Sequence, residues 1–155
     1  MTDLPPLLEF EAFVAIHAEF IEALLRHQDA LVRGDVDDAR REIHQLRADL
    51  FDHAQREDDR ILPVLEARGG WGRAGDPRFY REEHDRIRAY LVRFCAEADT
   101  IDSASPGYVR AAGRMIGAEQ AFLALLQHHD DREARCLDPD LITVTTPEER
   151  LALLR

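Results

Sequence analysis

A chain of 155 residues with 45% hydrophobic and 33% charged side chains has the size and composition of one globular domain. Its net charge of −11, with arginines scattered among Asp and Glu, argues against nucleic acid as a partner. No apolar run approaches the ~18 residues that would make a membrane span, and Cys95 and Cys136 give neither a disulfide framework nor a C-x-x-C pair.

The start, Met1-Thr-Asp-Leu-Pro-Pro6, is acidic and has no apolar segment, so a reducing cytoplasm is the expected location. The first predicted helix covers residues 7–33, with Phe10, Phe13, His17, Phe20 and Leu24 at 3–4 spacing. Gly34-Asp35 ends it and caps the second, residues 36–68, whose seam runs Ala39, Ile43, Leu46, Leu50, His53, Glu57, Ile61, Val64. The loop Gly69-Gly-Trp-Gly-Arg-Ala-Gly75 fits no phosphate-binding pattern and reads as a mobile connection anchored by Trp71. Asp76-Pro77 opens the third helix, residues 77–100, with Tyr80, His84, Ile87, Leu91 and Phe94 on its seam. Ser105-Pro106 opens the fourth, residues 106–137, along which Tyr108, Ala112, Met115, Glu119, Phe122, Leu126, His129, Glu133 and Cys136 align. The β-branched run Ile142-Thr-Val-Thr-Thr146 reads as a connection, and Thr146-x-x-Glu149 is a capping box for a short fifth helix. The expected fold is all-α: an antiparallel up-down four-helix bundle over residues 1–140, followed by a tail, 141–155, with the short helix.

His53-Ala-Gln-Arg-Glu57 recurs as His129-Asp-Asp-Arg-Glu133, and a proline follows each after five residues, Pro63 and Pro139. Residues at i and i+4 share a helix face, so each copy sets an imidazole and a carboxylate one turn apart. Every long helix has a histidine interrupting its core seam: His17, His53, His84 and His129. Burying four imidazoles and two carboxylates without partners is costly. Metal coordination satisfies all six together, and nitrogen with bridging carboxylate suits a pair of transition-metal ions. The chain also repeats a pattern of a one-histidine helix followed by an H-x3-E helix, so each half contributes half a site at the bundle centre.

This arrangement resembles the hemerythrin-like (HHE cation-binding) family over roughly residues 8–140. The turn Ala30-Leu-Val-Arg-Gly-Asp35 agrees with it. The resemblance implies two iron ions with a bridging oxo or hydroxo group. It implies that Glu57 and Glu133 bridge the irons and that His17, His53, His84 and His129 are terminal ligands. The ligand types alone also admit manganese or zinc. Oxygen-carrying members have a fifth histidine four residues before the one matching His84, where this chain has Tyr80, and an H-x4-D motif where this chain has H-x3-E. The set is more similar to bacterial members that handle nitric oxide or peroxide; the cysteine-containing N-terminal segment usual in iron–sulfur repair members is not found. The expected function is binding or sensing of O2, NO or peroxide. The alternatives are a di-iron enzyme (peroxide decomposition, NO reduction or small-molecule oxidation) and an iron store or iron-responsive adaptor.

Two further residues are candidates for roles beside the metal. The Tyr80 hydroxyl either ligates one iron or bonds the bridging group, against the alternative of a core tyrosine bonded to water or a backbone carbonyl. Glu119 either relays protons or bonds a cross-helix partner, the second being favoured. His27, His44 and His128 are expected at the surface, and Cys136 as a small buried hydrophobe.

Overall fold

The computed structural model describes the backbone of residues 6–155 and the side chains of residues 11–155, so the Phe10 side chain lies outside the described residues. Helix α1 is Pro6–Arg33, α2 covers residues 36–68, α3 is Pro77–Thr100, α4 covers residues 108–144 and α5 is Pro147–Leu154. Among the described residues there is no strand. No described helix is long and apolar enough to cross a membrane.

The predicted punctuation explains most boundaries. Gly34 has φ +78, and the bonds Gly34 N–H to the Leu31 carbonyl (3.1 Å) and Asp35 N–H to the Ala30 carbonyl (3.0 Å) form a Schellman ending to α1. Asp35 then accepts from the Asp38 N–H, Asp76 from the Arg78 N–H beside Pro77, and Thr146 and Glu149 form the capping box of α5. Ser105 does not cap α4. It sits in a turn, where its carbonyl accepts from the Tyr108 N–H at 3.0 Å, and α4 begins at Tyr108 behind Gly107, two residues after the expected start at 106. The Tyr108 hydroxyl donates to the Leu31 carbonyl at 2.5 Å and ties the start of α4 to the end of α1.

The far end of α4 is longer than expected. It continues through Asp138–Val144, so Ile142, Thr143 and Val144 are helical and only Thr145-Thr146 connects to α5. Burial explains this: Leu141 is enclosed in the small cluster, and Val144, like Leu153 and Leu154 of α5, packs against that cluster. Both α2 and α4 contain one π-helical stretch, Glu57–Ile61 and Glu133–Leu137. Each begins at the Glu of an H-x3-E motif and runs into the segment bearing Pro63 or Pro139. The extra residue in that turn shifts the downstream seam by one, so Leu65 and Leu137 are buried where Val64 and Cys136 were expected.

Two apolar clusters fill the bundle. The larger holds Phe20, Leu24, Leu31, Ile43, Leu46, Leu50, Ile87, Leu91, Phe94, Met115, Phe122 and Leu126; the smaller holds Ile61, Leu62, Leu65, Tyr80, Leu137 and Leu141, with Phe13, Val14 and Trp71 against it. Along α1 and α3 the chain passes from the small cluster to the large one, and along α2 and α4 from large to small, as up-down topology requires. In all four helices the histidine falls between the clusters. The glycine loop folds against this end: Gly69 and Gly70 have φ of +68 and +93, and Gly75 is buried where a Cβ would lie 3.3 Å from the Trp71 Cβ.

Candidate metal centre

His17 of α1, His53 and Glu57 of α2, His84 of α3, and His129 and Glu133 of α4 are all buried and meet in the layer between the clusters. Their donor atoms form two groups, His17–His53–Glu57–Glu133 and Glu57–His84–His129–Glu133, in each of which the atoms lie within 4.8 Å of one another. The two carboxylates belong to both groups. Glu57 turns Oε1 to His53 Nε2 (3.2 Å) and Oε2 to His84 Nε2 (3.1 Å). Glu133 turns Oε2 to His17 Nε2 (2.9 Å) and Oε1 to His129 Nε2 (2.6 Å). Each carboxylate therefore presents one oxygen to each histidine pair.

The outer ring nitrogens fix the tautomers. His17 Nδ1–H donates to the Val14 carbonyl (3.0 Å), His84 Nδ1–H to Asp58 Oδ1 (2.7 Å) and His129 Nδ1–H to Glu83 Oε2 (3.0 Å). These partners only accept, so each of these rings, when neutral, turns an Nε2 lone pair inward. His17 Nε2 and His53 Nε2 are 3.0 Å apart, a contact that needs a cation or a proton between them. Glu57 Oε2, His84 Nε2 and Glu133 Oε1 are buried without a hydrogen bond in the described structure, although they stand at ion-pair distance from neighbours in the same layer. Inward lone pairs, orphaned oxygens and a shared pair of carboxylates fit a metal site.

Electrostatics point the same way. Burial works against charge on His17, but the Glu133 carboxylate outweighs it and pushes the imidazole up to about 9. His84 and His129 are raised against burial by Asp58 with Glu57 and by Glu133 with Glu83. Glu57 and Glu133 are held low despite burial by the imidazoles around them. Protons are drawn to the positions that a cation would take, and metal binding would release them.

Two carboxylates behind the site were not anticipated. Asp58 follows Glu57, bonds His84 and accepts from Arg88 Nη2 at 2.6 Å. Glu83 precedes His84, bonds His129 and faces Arg132 Nη2 at 3.3 Å. Each lies one residue off a seam position, about 100° around the helix, where an acidic residue looks like ordinary solvated surface.

Tyr80 is fully buried, its ring centroid 6.4 Å from that of His129, and its hydroxyl donates to the Arg132 carbonyl at 3.4 Å. Burial, then the charges of Cys136 and Glu133, raise its pKa, which opposes phenolate formation. Glu119 lies ten residues before His129, about 15 Å along the axis. Its oxygens bond His27 Nε2 (3.0 Å) and Gln28 Nε2 (3.0 Å), and His27 Nδ1–H donates to the Ala39 carbonyl (2.7 Å). His27 is therefore not a surface residue; it is wholly buried, because 20, 24, 27 and 31 continue the α1 seam. His44 and His128 are exposed, and Cys136 is half-buried.

Comparison with known proteins gives one family. The hemerythrin HHE cation binding domain matches residues 8–141. No curated protein and no solved structure matches the chain. With the match covering nearly all of the four-helix region, and with buried His/Glu groups that fit a metal-binding site, the chain belongs to the hemerythrin HHE cation-binding family.

Proposed function

We propose that this chain holds two iron ions with a bridging oxo or hydroxo group, and binds or senses O2, NO or peroxide there. The observation that carries the reading is the shared carboxylate pair: Glu57 and Glu133 each offer one oxygen to His17 and His53 and the other to His84 and His129. In this reading the four Nε2 atoms are terminal ligands and the carboxylates bridge. Iron, when bound, supplies a redox-active Lewis acid for a small ligand. The protein's own work is to position and enclose. Asp58 and Glu83 hold two imidazoles in one tautomer and orientation. Phe13 and Phe20, with ring centroids 4.5 and 5.4 Å from that of His53, keep water from that side. A site with four imidazoles carries less negative charge than a carboxylate-rich one, which favours ligand binding and modest redox chemistry over hydrocarbon oxidation.

Metal analysis and visible spectra of protein from iron-supplemented cells test this, recorded before and after O2, NO and peroxide. About two irons per chain and a spectrum perturbed by one of these ligands are expected. Turnover of peroxide or NO beyond one equivalent would move the assignment to an enzyme. A folded protein that takes up no metal would refute the proposal.

A further inference from the structure

The two histidine pairs differ in what stands behind them. His84 and His129 both donate Nδ1–H to carboxylates, Asp58 at 2.7 Å and Glu83 at 3.0 Å. These carboxylates are themselves anchored: Arg88 Nη2 donates to Asp58 Oδ2 at 2.6 Å, and Arg132 Nη2 stands 3.3 Å from Glu83 Oε1. The turn bearing Asp58 is pinned as well, because Arg81 Nη1 donates to the Asp58 carbonyl at 2.9 Å.

Behind the other pair no carboxylate is hydrogen-bonded to an outer ring nitrogen among the described residues, although Asp130 stands within ion-pair range of His17 and Asp138 is near enough to feel its charge. His17 has the Val14 carbonyl of its own helix at 3.0 Å, and Asp130 Oδ1 stands off at 3.6 Å. His53 has no hydrogen bond from Nδ1 among the described residues, and its ring lies against Phe13 and Phe20. A carboxylate on the outer nitrogen raises the basicity of an imidazole and fixes its ring; a carbonyl does less and a phenyl ring nothing.

We infer that the two metal positions are unequal: the one held by His84 and His129 binds first and tightly, and the one held by His17 and His53 is the exchangeable position. Asp58 and Glu83 are positioning residues that set the difference through the imidazoles they hold. The inference rests on the dinuclear reading above. It makes the centre one retained ion beside one that can leave, so partial metal loss converts it to a mononuclear site without unpacking the Asp58 and Glu83 networks.

The test uses the full chain loaded with zinc(II), which is redox-silent, and a chelator added in steps while the ring ¹⁵N resonances of the histidines are followed. His17 and His53 should respond as the first ion leaves, and His84 and His129 only with the second. Asp58→Asn and Glu83→Gln each keep an oxygen acceptor but lose the charge. Combined, they should weaken the tight position by about 10–100-fold and close the gap between the two steps. Release in the opposite order, or all four histidines responding in step, would overturn the inference and leave the dinuclear reading standing. Loading of fewer than two zinc ions, or a histidine among the four that never responds, would overturn both.

Discussion

Replacing Glu119 by leucine removes one side of a buried cluster that has no contact with the metal layer. Glu119 and His27 are both fully enclosed, and His27 faces acceptors at both ring nitrogens, the Ala39 carbonyl at 2.7 Å and Glu119 Oε1 at 3.0 Å. Taking away Glu119 strands His27 Nε2 and the Gln28 amide, and breaking a buried pair from one side costs about 3–5 kcal/mol. For a chain of this size roughly 2–4 °C is lost per kcal/mol, so the melting temperature should fall by about 6–20 °C. A domain stable by about 5–15 kcal/mol remains folded after such a loss. His27→Leu with Glu119→Leu replaces both partners by apolar groups inside an apolar cluster, and should return to within about 1 kcal/mol of the parent. Denaturant melts of the two single variants and the double give the coupling directly. A Glu119→Leu variant within about 1 kcal/mol of the parent, or a double variant as damaged as the sum of the singles, would show that the cluster is not the closed unit described. The iron spectrum should be the same in all three, because Phe20, Leu24, Phe122 and Leu126 separate the cluster from the metal layer.

Tyr80→Phe should leave the visible spectrum of the iron-loaded protein unchanged and cost no more than about 1 kcal/mol, because it removes only a 3.4 Å bond to the Arg132 carbonyl. Loss of a charge-transfer band in that variant would instead place the phenolate on the metal. At the other end of the chain, Glu149 is held down to about 2 by the Arg68 guanidinium and the Thr146 N–H. A carboxylate depressed from 4.5 stabilises the fold above about 4.5 and loses that contribution as pH falls through about 2. Protection of the α5 amides, taken relative to the unstructured exchange rate at each pH, should fall over that window in the parent and change less in Glu149→Gln; identical acid profiles would refute the assignment. Removing both ions should lower the melting temperature by roughly 15–30 °C, since an ion at 1,000 times its Kd adds about 4 kcal/mol per site and each kcal/mol is worth about 2–4 °C. Equal melting with and without chelator would mean that no ion binds.

The six residues that meet between the clusters were legible because each lies on a 3–4 seam before any irregular turn intervenes. Register was lost one turn later, and in the same way twice. From Ile61 an α-helix leads to Val64, and from Glu133 to Cys136, yet Leu65 and Leu137 are the buried residues. No helical periodicity announces a π turn in advance, because the turn adds a residue only where it occurs. His27 was misjudged for a different reason: histidine is common at the surface, and its buried partner, Glu119, is 92 positions away. Asp58 and Glu83 escaped because their importance depends on which helix lies beside them. An acidic residue one place off the seam becomes a partner for a neighbouring imidazole only when the bundle closes.

The repeated proline connects the motif to that irregular turn. His53, Glu57, Ile61 and Leu65 form a strict four-residue repeat, all buried, and so do His129, Glu133, Leu137 and Leu141. In a regular α-helix a four-residue step drifts by ~40°, so three steps turn ~120° and carry the last residue out of the core. A widened turn absorbs the drift. A proline ring also clashes with the carbonyl four residues before it in a straight helix, here Asp59 or Arg135, both inside the π stretches. The wider turn relieves that clash as well. Two adjacent residues of α3 then fasten the two turns: Arg81 donates to the Asp58 carbonyl at 2.9 Å and Tyr80 to the Arg132 carbonyl at 3.4 Å. Tyr80 thus takes a place at the edge of the metal layer while spending its hydroxyl on backbone.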